Sequence, residues 1–277
     1  MTQPSETLDD GRLTVHHDFV GLLHRHGLDA FENFYDEHTG KLLRDVGPRA
    51  NLRLTLEVEG GTLACFLKRH RPLSLAERLK AWLTLRRARS HARTEWENIE
   101  RLAGLGIPTM QPVAFGEDPV TGRSFLMTAE IGSASPADDF AREHFASKER
   151  PAVEARRKFV RRLGELIRTL HASGFTHRDL YLCHVFVRET REDFRLHLID
   201  LQRMGPRVLL RRWRVKDVAH LEYSRPAGTF SATDAVRFLH SYFGADRLDA
   251  RQKHFARDVL RKADRMRRRN RGRELLR

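Results

Sequence analysis

The stretch "THRDLYLCHVFV", residues 176–187, combines a charged triplet with an apolar run and decides how the rest of the chain is interpreted. Asp179 follows the basic pair His177 and Arg178, and the apolar residues after it predict a strand. A carboxylate on a loop just before a strand is typical of a functional site at a strand end. His184 lies five residues beyond Asp179 and is a second candidate for that site.

A second carboxylate lies 21 residues further on. Asp200 follows the apolar run "LHLI", and the polar segment "RETREDF" separates this run from "VFV". Two short apolar runs on either side of a polar turn predict a β-hairpin. Because a hairpin brings its two ends side by side, we expect Asp179 and Asp200 to lie close together.

An earlier hairpin carries a lysine. Residues 52–58 alternate between apolar and polar side chains, "EGG" predicts a turn, and "TLACFLK" predicts the partner strand, which ends in Lys68. The helix predicted for "RTEWENIERLAGL" contains Glu95 and stops at "GIP". An acid on this helix is a candidate ion-pair partner for Lys68.

The composition changes near residue 131. Strand patterns dominate before it, and long helical patterns such as "PAVEARRKFVRRLGELIRTLHASG" dominate after it. We therefore predict an α+β protein in two parts, a strand-rich part at 1–130 and a mainly helical part at 131–277.

These residue types suit one kind of chemistry. Phosphoryl transfer requires a cation on the phosphates, acidic ligands for Mg²⁺ and a carboxylate beside the attacking hydroxyl. Lys68, Asp179 and Asp200 provide these groups, and Glu95 would hold the lysine. Each residue alone has an ordinary structural explanation, as a surface lysine, a strand-end cap or a helix-start acid. Their order along the chain predicts an ATP-dependent kinase.

Charge and composition limit the remaining functions. The net charge of +14 is concentrated in residues 69–93 and 251–277, which carry +7 and +9. Such segments are either solvated helix faces or the sites of an anionic partner: nucleic acid, anionic lipid or an acidic protein. The polar, acidic start of the chain predicts no signal peptide, no apolar run predicts a membrane span, and two cysteines fit reduced thiols in the cytoplasm.

Several motifs resemble one family. The segments "GFTHRDLYLCHVFV", "DFRLHLIDLQR" and "RWRVKDVAHLEYS", with "FLKRH" and "ARTEWENIERLAGLGIPTM", are similar to the lipopolysaccharide core heptose kinases, the WaaP and InaA-like family. The resemblance runs from about residue 40 to 244. It implies a bilobal protein-kinase-like fold, with a small antiparallel sheet in the N-lobe. It also implies ATP- and Mg²⁺-dependent phosphorylation of a heptose hydroxyl in the lipopolysaccharide inner core, at the cytoplasmic face of the inner membrane.

The resemblance also implies roles for single residues. Lys68 would bind the α- and β-phosphates and pair with Glu95, Asp179 would be the catalytic base, and Asp200 the principal Mg²⁺ ligand. His177 and Arg178 would brace the loop, and Asp217 would anchor it from the following helix. The nucleotide would also contact Gly47, over the phosphates, and the backbone of Thr128, Ala129, Glu130 and Ile131, beside the adenine.

His184 stands where protein kinases carry a metal-binding asparagine, and three interpretations are open. Asp200 alone holds one Mg²⁺, His184 joins a second site better suited to Mn²⁺, or His184 hydrogen-bonds to Asp179. The first and third are favoured. Zinc bound by His177 and His184 is least favoured, because two histidines rarely suffice.

The sequence leaves alternatives open for both the acceptor substrate and the binding partner. The chain could instead phosphorylate a protein or another glycolipid, or act as a pseudokinase that only binds partners. We expect a lipid-anchored lipopolysaccharide precursor as substrate and a peripheral location at the membrane. The amphipathic helix predicted at residues 73–87 either lies on an anionic membrane surface or packs its apolar face on the strand-rich part. The basic C-terminal run favours anionic lipid or an acidic protein. Nucleic acid is the least favoured partner, because no RNA-binding signature accompanies that run.

Overall fold

The computed structural model of the chain describes residues 4–36, 39–46, 49–72, 90–190, 193–206 and 210–274. Gly47 and the predicted basic helix at 73–87 lie outside these ranges. Two compact units are present: Met1–Gly104 with Met110–Ile131, and Leu105–Thr109 with Gly132–Arg277. Within the described ranges, no helix combines the length and the apolar composition needed to cross a membrane.

The first unit is built on an antiparallel sheet. Its strands are β1 (Ser5–Leu8), β2 (Leu13–His16), β3 (Lys41–Val46), β4 (Arg49–Val58), β5 (Gly61–His70), β6 (Gln111–Glu117) and β7 (Ser124–Ala129). Their order in the sheet is β1-β2-β6-β7-β5-β4-β3. The hairpin predicted from the alternating pattern is confirmed as β4 and β5, in which Lys68 faces Asn51 across the pair. Strands β1, β2 and β3 were not predicted.

The two faces of this sheet have different roles. Alternate side chains of β5, such as Cys65 and Leu67, are fully buried in an apolar core. Helix α1 (Val20–Arg25) and the 3₁₀ helix Phe31–Tyr35 contribute to that core, where Phe34 stacks on Phe125 at 4.1 Å. Lys68 alternates with Leu67 along β5 and therefore points to the opposite face.

Helix α2 (His91–Gly104) also belongs to the first unit and confirms the helix predicted around Glu95. Its buried side includes Glu95, Trp96, Ile99 and Leu102, which recur at the helical period of three and four. The Trp96 ring lies 4.9 Å from Phe115 of β6, so the helix packs on the sheet. This packing turns Glu95 toward the sheet.

The second unit is mainly helical. Its helices are α3 (Ala137–His144), α4 (Arg150–Ala172), α5 (Leu210–Tyr223), α6 (Ala232–Phe243) and α7 (Ala250–Glu274). The long predicted helix is confirmed as α4, and the chain leaves it through Gly174, whose φ of +84° is readily adopted only by glycine. Gly164 lets α4 approach α6 closely, because a Cβ there would lie 2.8 Å from the Phe238 carbonyl oxygen.

Five short strands accompany these helices: β8 (Ala134–Pro136), β9 (Phe175–Thr176), β10 (Val185–Glu189), β11 (Phe194–Leu198) and β12 (Gly205–Pro206). The predicted second hairpin is confirmed as β10 and β11, and β8 pairs along β10. Strand β8 lies in "GSASPADD", which has no strand pattern. Thr176 of β9 pairs with Gly205 of β12. This pair joins the two ends of the segment that contains Asp179 and Asp200.

Residues 105–109 join the second unit, whereas the predicted division near residue 131 grouped them with the strands. The Leu198 N–H donates to the Pro108 carbonyl oxygen at 3.0 Å, and the Thr109 hydroxyl donates to the Leu198 carbonyl oxygen at 2.6 Å. These bonds extend the edge of β11. A single change in composition along the sequence cannot indicate a five-residue excursion of this kind.

Candidate active site

Lys68 and Glu95 form an ion pair inside the first unit. Lys68 Nζ lies 2.6 Å from Glu95 Oε1, and the two side chains are 16% and 0% exposed. The strand position turns the lysine away from the apolar core, and the buried side of α2 supplies the carboxylate. Both charged groups lose most of their contact with water. Each therefore needs the opposite charge of its partner to remain ionised at low free-energy cost. The pairing holds the lysine amine in one direction.

Most of the segment predicted to hold adenine is itself part of the sheet. Thr128 and Ala129 belong to β7, which pairs with β5 on one side and β6 on the other. The Glu130 N–H donates to the Ala64 carbonyl oxygen at 2.8 Å, and its carboxylate pairs with Arg53 at 3.1 Å. Ile131 is therefore the first residue of this segment beyond the sheet.

In the second unit, Asp217 binds the loop that carries Asp179. Its Oδ2 and Oδ1 accept hydrogen bonds from the backbone N–H groups of His177 and Arg178, each at 2.7 Å. Arg178 has a φ of +74°, a conformation that non-glycine residues seldom adopt. Asp217 is fully buried, and its pKa is lowered because these donors and His171 outweigh the effect of burial. An ionised carboxylate therefore holds the loop from α5.

A buried chain of polar groups lies behind Asp217. His171 Nε2 donates to Asp217 Oδ2 at 3.2 Å, and the Tyr242 hydroxyl donates to His171 Nδ1 at 2.8 Å. Burial lowers the pKa of His171, so the ring is neutral at pH 7 and carries its proton on Nε2. Sequence reasoning missed His171 and Tyr242. Their only signal is a polar residue on the apolar side of a predicted helix.

Asp179 is held at both its backbone and its carboxylate. Its carbonyl oxygen accepts a hydrogen bond from His184 Nδ1 at 2.7 Å. Arg203 Nη1 lies 3.0 Å and 2.7 Å from the two carboxylate oxygens. The Asp179 side chain is 19% exposed, so it is open to a reactant in solution. Sequence reasoning missed Arg203 too, although it lies three residues after Asp200.

Asp200 lies next to the other side of His184. His184 Nε2 is 3.7 Å from Asp200 Oδ2, so the imidazole lies between the Asp179 backbone and the second carboxylate. Burial acts to lower the pKa of His184, but the contacts with Cys183, the Asp179 carbonyl and Asp200 raise it to about 9. Asp200 itself has a φ of +58°, a strained conformation that is common at functional sites.

The donor set near Asp200 fits a hard cation better than zinc. Carboxylate oxygens are the ligands that Mg²⁺ prefers, and Asp200 offers one at the turn after β11. His177 is fully buried and its Nε2 donates to the Ile199 carbonyl oxygen at 2.9 Å, so that nitrogen is not available to a metal. Among the described residues, no three His, Cys, Asp or Glu side chains are grouped as a metal site. A metal at Asp200 would need further ligands from nucleotide or water.

Comparison with known proteins places this chain in a family. The model of the lipopolysaccharide kinase (Kdo/WaaP) family matches residues 49–242. A lipopolysaccharide core heptose(I) kinase WaaP of Escherichia coli is 34% identical over 227 residues, covering 79% of this chain and 83% of the relative. The Pseudomonas aeruginosa WaaP is 34% identical over 226 residues, covering 78% of this chain and 81% of the relative.

A solved structure agrees with the sequence matches. WaaP in complex with acyl carrier protein superposes with a TM-score of 0.68 and 31% identity, covering 92% of this chain and 97% of that chain. The predicted α+β protein-kinase-like fold class, with an antiparallel sheet first and a mainly helical part after it, is confirmed. The sequence resemblance is confirmed as well: this chain belongs to the lipopolysaccharide kinase (Kdo/WaaP) family.

Proposed function

We propose that this chain is an ATP-dependent kinase that phosphorylates a heptose hydroxyl of the lipopolysaccharide inner core. Membership in a kinase family implies the use of ATP, and the matched relatives are named as heptose(I) kinases of the lipopolysaccharide core. The observation that carries the proposal is the anchoring of Asp179 on a loop fixed by Asp217 and His184. A scaffold that only bound partners would have no use for a carboxylate held in this way.

The first unit carries the groups that we assign to the nucleotide, and the second unit carries the group that we assign to the acceptor. Lys68, oriented by Glu95, binds the α- and β-phosphates of ATP, and we assign Gly47, which is outside the described residues, to phosphate binding as well. Adenine is held by the segment Thr128 to Ile131, chiefly by the backbone of Ile131. Asp179 orients the acceptor hydroxyl and accepts its proton as the hydroxyl oxygen bonds to the γ-phosphorus. The bond from that phosphorus to the oxygen bridging to the β-phosphate breaks in the same step, and ADP leaves.

Mg²⁺ is the metal that suits this chemistry. Asp200 would hold it, and Mn²⁺ would serve in its place, since both accept carboxylate and phosphate oxygens. The bound ion would neutralise charge on the phosphates as the terminal group is transferred. His184 donates through Nδ1 to the Asp179 carbonyl, which favours a role in holding the base over a role as metal ligand.

An acyl carrier protein is the partner that we propose. A solved WaaP has been captured in complex with one, and the exposed side of α7 offers the cations Arg257, Arg261 and Arg265 at a spacing of four residues. Arg257 and the exposed Leu260 also line an apolar groove of about 710 Å³ in the second unit. A groove of this character fits an acyl chain brought by the carrier.

We also propose that the chain works at the cytoplasmic face of the inner membrane as a peripheral protein. A lipopolysaccharide precursor is anchored by lipid, and the basic segments of the chain carry charge that anionic lipids attract. Binding to vesicles of neutral lipid, with and without added anionic lipid, tests this location. Equal binding to both kinds of vesicle would refute the proposed attraction between the basic segments and anionic lipid.

The function is tested by mass spectrometry of heptosylated core glycolipid incubated with the protein, ATP and Mg²⁺. We expect the mass of one added phosphate, which Asp179→Ala abolishes. Asp246→Ala, which removes an exposed carboxylate outside the site, is the matched control and retains the product. A competent acceptor that gains no phosphate while ATP is bound would refute the heptose assignment. Transfer of phosphate to a protein or another glycolipid would then favour the alternatives.

A further inference from the structure

Two adjacent leucines are exposed on the outermost strand of the first unit. Strand β3 is the last strand in the sheet order, and within the described residues no strand pairs with its outer edge. Leu42 and Leu43 are 55% and 50% exposed, and every residue from Lys41 to Asp45 is exposed. A single exposed leucine needs no explanation, whereas an adjacent pair on an uncovered edge is a candidate contact surface.

A β-bulge places the two leucines at a bend of the strand. Leu42 lies opposite Leu52 of β4, and Arg44 lies opposite the adjacent Asn51, so Leu43 is an extra residue without a partner across the pair. Strict alternation would turn neighbouring side chains to opposite faces of the sheet. The bulge interrupts this alternation and bends the strand. Both leucines therefore belong to the bent edge of the sheet, where solvent reaches them.

Positive charge flanks the leucines. Lys41 and Arg44 adjoin them on either side, and neither forms an ion pair with another residue in the described part of the chain. Four cations lie between Lys41 and Arg53, and Asp45 is the one acid in this stretch of sequence. Glu130 pairs with Arg53 and leaves the other cations in excess. The leucine pair is therefore set in a region that attracts anions.

A second copy of the chain fits this edge poorly. Two edge strands pair through a regular row of free N–H and C=O groups, and bulges and basic side chains hinder such pairing. Two copies would also bring like charges together. An anionic bilayer has the complementary chemistry, because its headgroups attract cations and its acyl boundary accepts leucine side chains. The contact has to be shallow, since the unpaired backbone groups of the edge need water or headgroups as partners.

We propose that the segment Lys41–Arg44, which we call the edge segment, docks the first unit on an anionic membrane surface. Leu42 and Leu43 insert at the boundary between headgroups and acyl chains, and Lys41 and Arg44 contact the headgroups. The inference rests on the proposed function, which brings the chain to the membrane of a lipid-anchored substrate. It adds an apolar contact to the attraction between basic segments and lipid. Salt screens that attraction but not apolar burial, so the two contributions can be measured separately.

Binding to vesicles of phosphatidylcholine that contain about a third of phosphatidylglycerol measures the contact. At high salt we expect the wild type to keep part of its binding. The double variant Leu42→Ser, Leu43→Ser should lower the partition coefficient by about tenfold or more at both low and high salt. Val120→Ser is the matched control, with wild-type binding expected, because it removes a 92% exposed apolar side chain between β6 and β7.

Fluorescence gives the depth of the edge segment. Leu43→Trp adds an indole at the bulge, and lipids brominated on the first part of their acyl chains should quench this added emission. Val120→Trp adds an exposed indole outside the edge segment, and its added emission should not be quenched. Equal quenching of the two variants would contradict insertion through the edge segment.

Other results would overturn the inference as well. Equal vesicle binding by the wild type and the double variant would show that the leucines make no contact with lipid. A wild-type dimer in sedimentation that the double variant converts to a monomer would show that a second copy covers them. If the double variant does not fold, Leu43→Ser and Leu43→Trp decide. Leucine-dependent vesicle binding with no phosphate transfer to any acceptor would support the docking and refute the proposed function.

Discussion

His184 donates a hydrogen bond from Nδ1 to the backbone carbonyl of Asp179, 2.7 Å away, and turns Nε2 toward Asp200 at 3.7 Å. One imidazole thus contacts the backbone of the residue proposed as base and the carboxylate proposed as metal ligand. A neutral asparagine side chain could form the first of these contacts but would lack the charge that the raised pKa of His184 supplies.

The first prediction concerns this contact. His184→Ala should lower kcat by about tenfold to a hundredfold, the range typical when a group that orients a site residue is lost. His184→Asn should recover part of that loss, because its amide can still donate to the Asp179 carbonyl. Affinity for Mn²⁺ in the presence of ATP, measured by electron paramagnetic resonance, should change little in either variant. A large loss of Mn²⁺ affinity in His184→Ala alone would instead identify the ring as a ligand.

The second prediction concerns the buried ion pair of the first unit. Lys68→Met leaves the fully buried Glu95 without its cation and should reduce the free energy of unfolding by about 3–5 kcal/mol. Adding Glu95→Gln removes the stranded charge, so the double variant should be more stable than Lys68→Met. Urea unfolding measures both. Both variants should lose activity because neither has Lys68. The double variant should therefore regain stability without regaining catalysis. A double variant less stable than the single one would contradict the proposed cost of the buried charge.

The third prediction concerns the anchor of the catalytic loop. Asp217→Asn keeps the shape of the side chain but replaces one acceptor oxygen with an N–H₂ group that faces a backbone donor. The unfolding free energy should fall by about 1–3 kcal/mol, and kcat should fall while the KM for ATP stays close to that of the wild type. Tyr242→Phe removes only the more distant hydrogen bond to His171 and is the control with the smaller expected effect. Equal losses in the two variants would show that the anchor acts through the whole polar chain.

The fourth prediction concerns pH and His220, which is buried and stacks on Tyr181 at 4.3 Å. Burial and Lys216 lower the pKa of His220 to about 4, although Asp217 and Asp179 oppose the shift. The unfolded chain therefore binds this proton more readily, and stability present above pH 6.5 is lost as the pH falls toward 4. The loss from this residue is at most about 3 kcal/mol.

The variant His220→Phe keeps an aromatic ring against Tyr181 but cannot titrate. Urea unfolding between pH 7 and pH 5 should therefore show a shallower dependence of stability on pH than in the wild type. The comparison between the two proteins removes the contribution of other buried histidines such as His171. Equal slopes would mean that His220 is not the residue that takes up the proton.

The parts of the fold that could be predicted well are those with a regular pattern in the sequence. The alternation of residues 52–58 predicted β4 and β5, and the two apolar runs around "RETREDF" predicted β10 and β11. Strands β1, β2, β3 and β8 were missed, because short strands need little periodicity of their own once a neighbouring strand supplies the hydrogen bonds.

By itself, the sequence determined which chemical groups the chain possesses and in which order. The order of Lys68, Glu95, Asp179 and Asp200 along the chain was enough to indicate a kinase, because phosphoryl transfer needs few residue types. Only the tertiary structure decided which atoms meet. The tautomer of His171 and the contact of His184 with a backbone carbonyl depend on neighbours distant in the chain or on backbone geometry. Arg203 reads as an ordinary surface arginine until folding brings its guanidinium against Asp179, because an ion pair is set by distances that no linear pattern records.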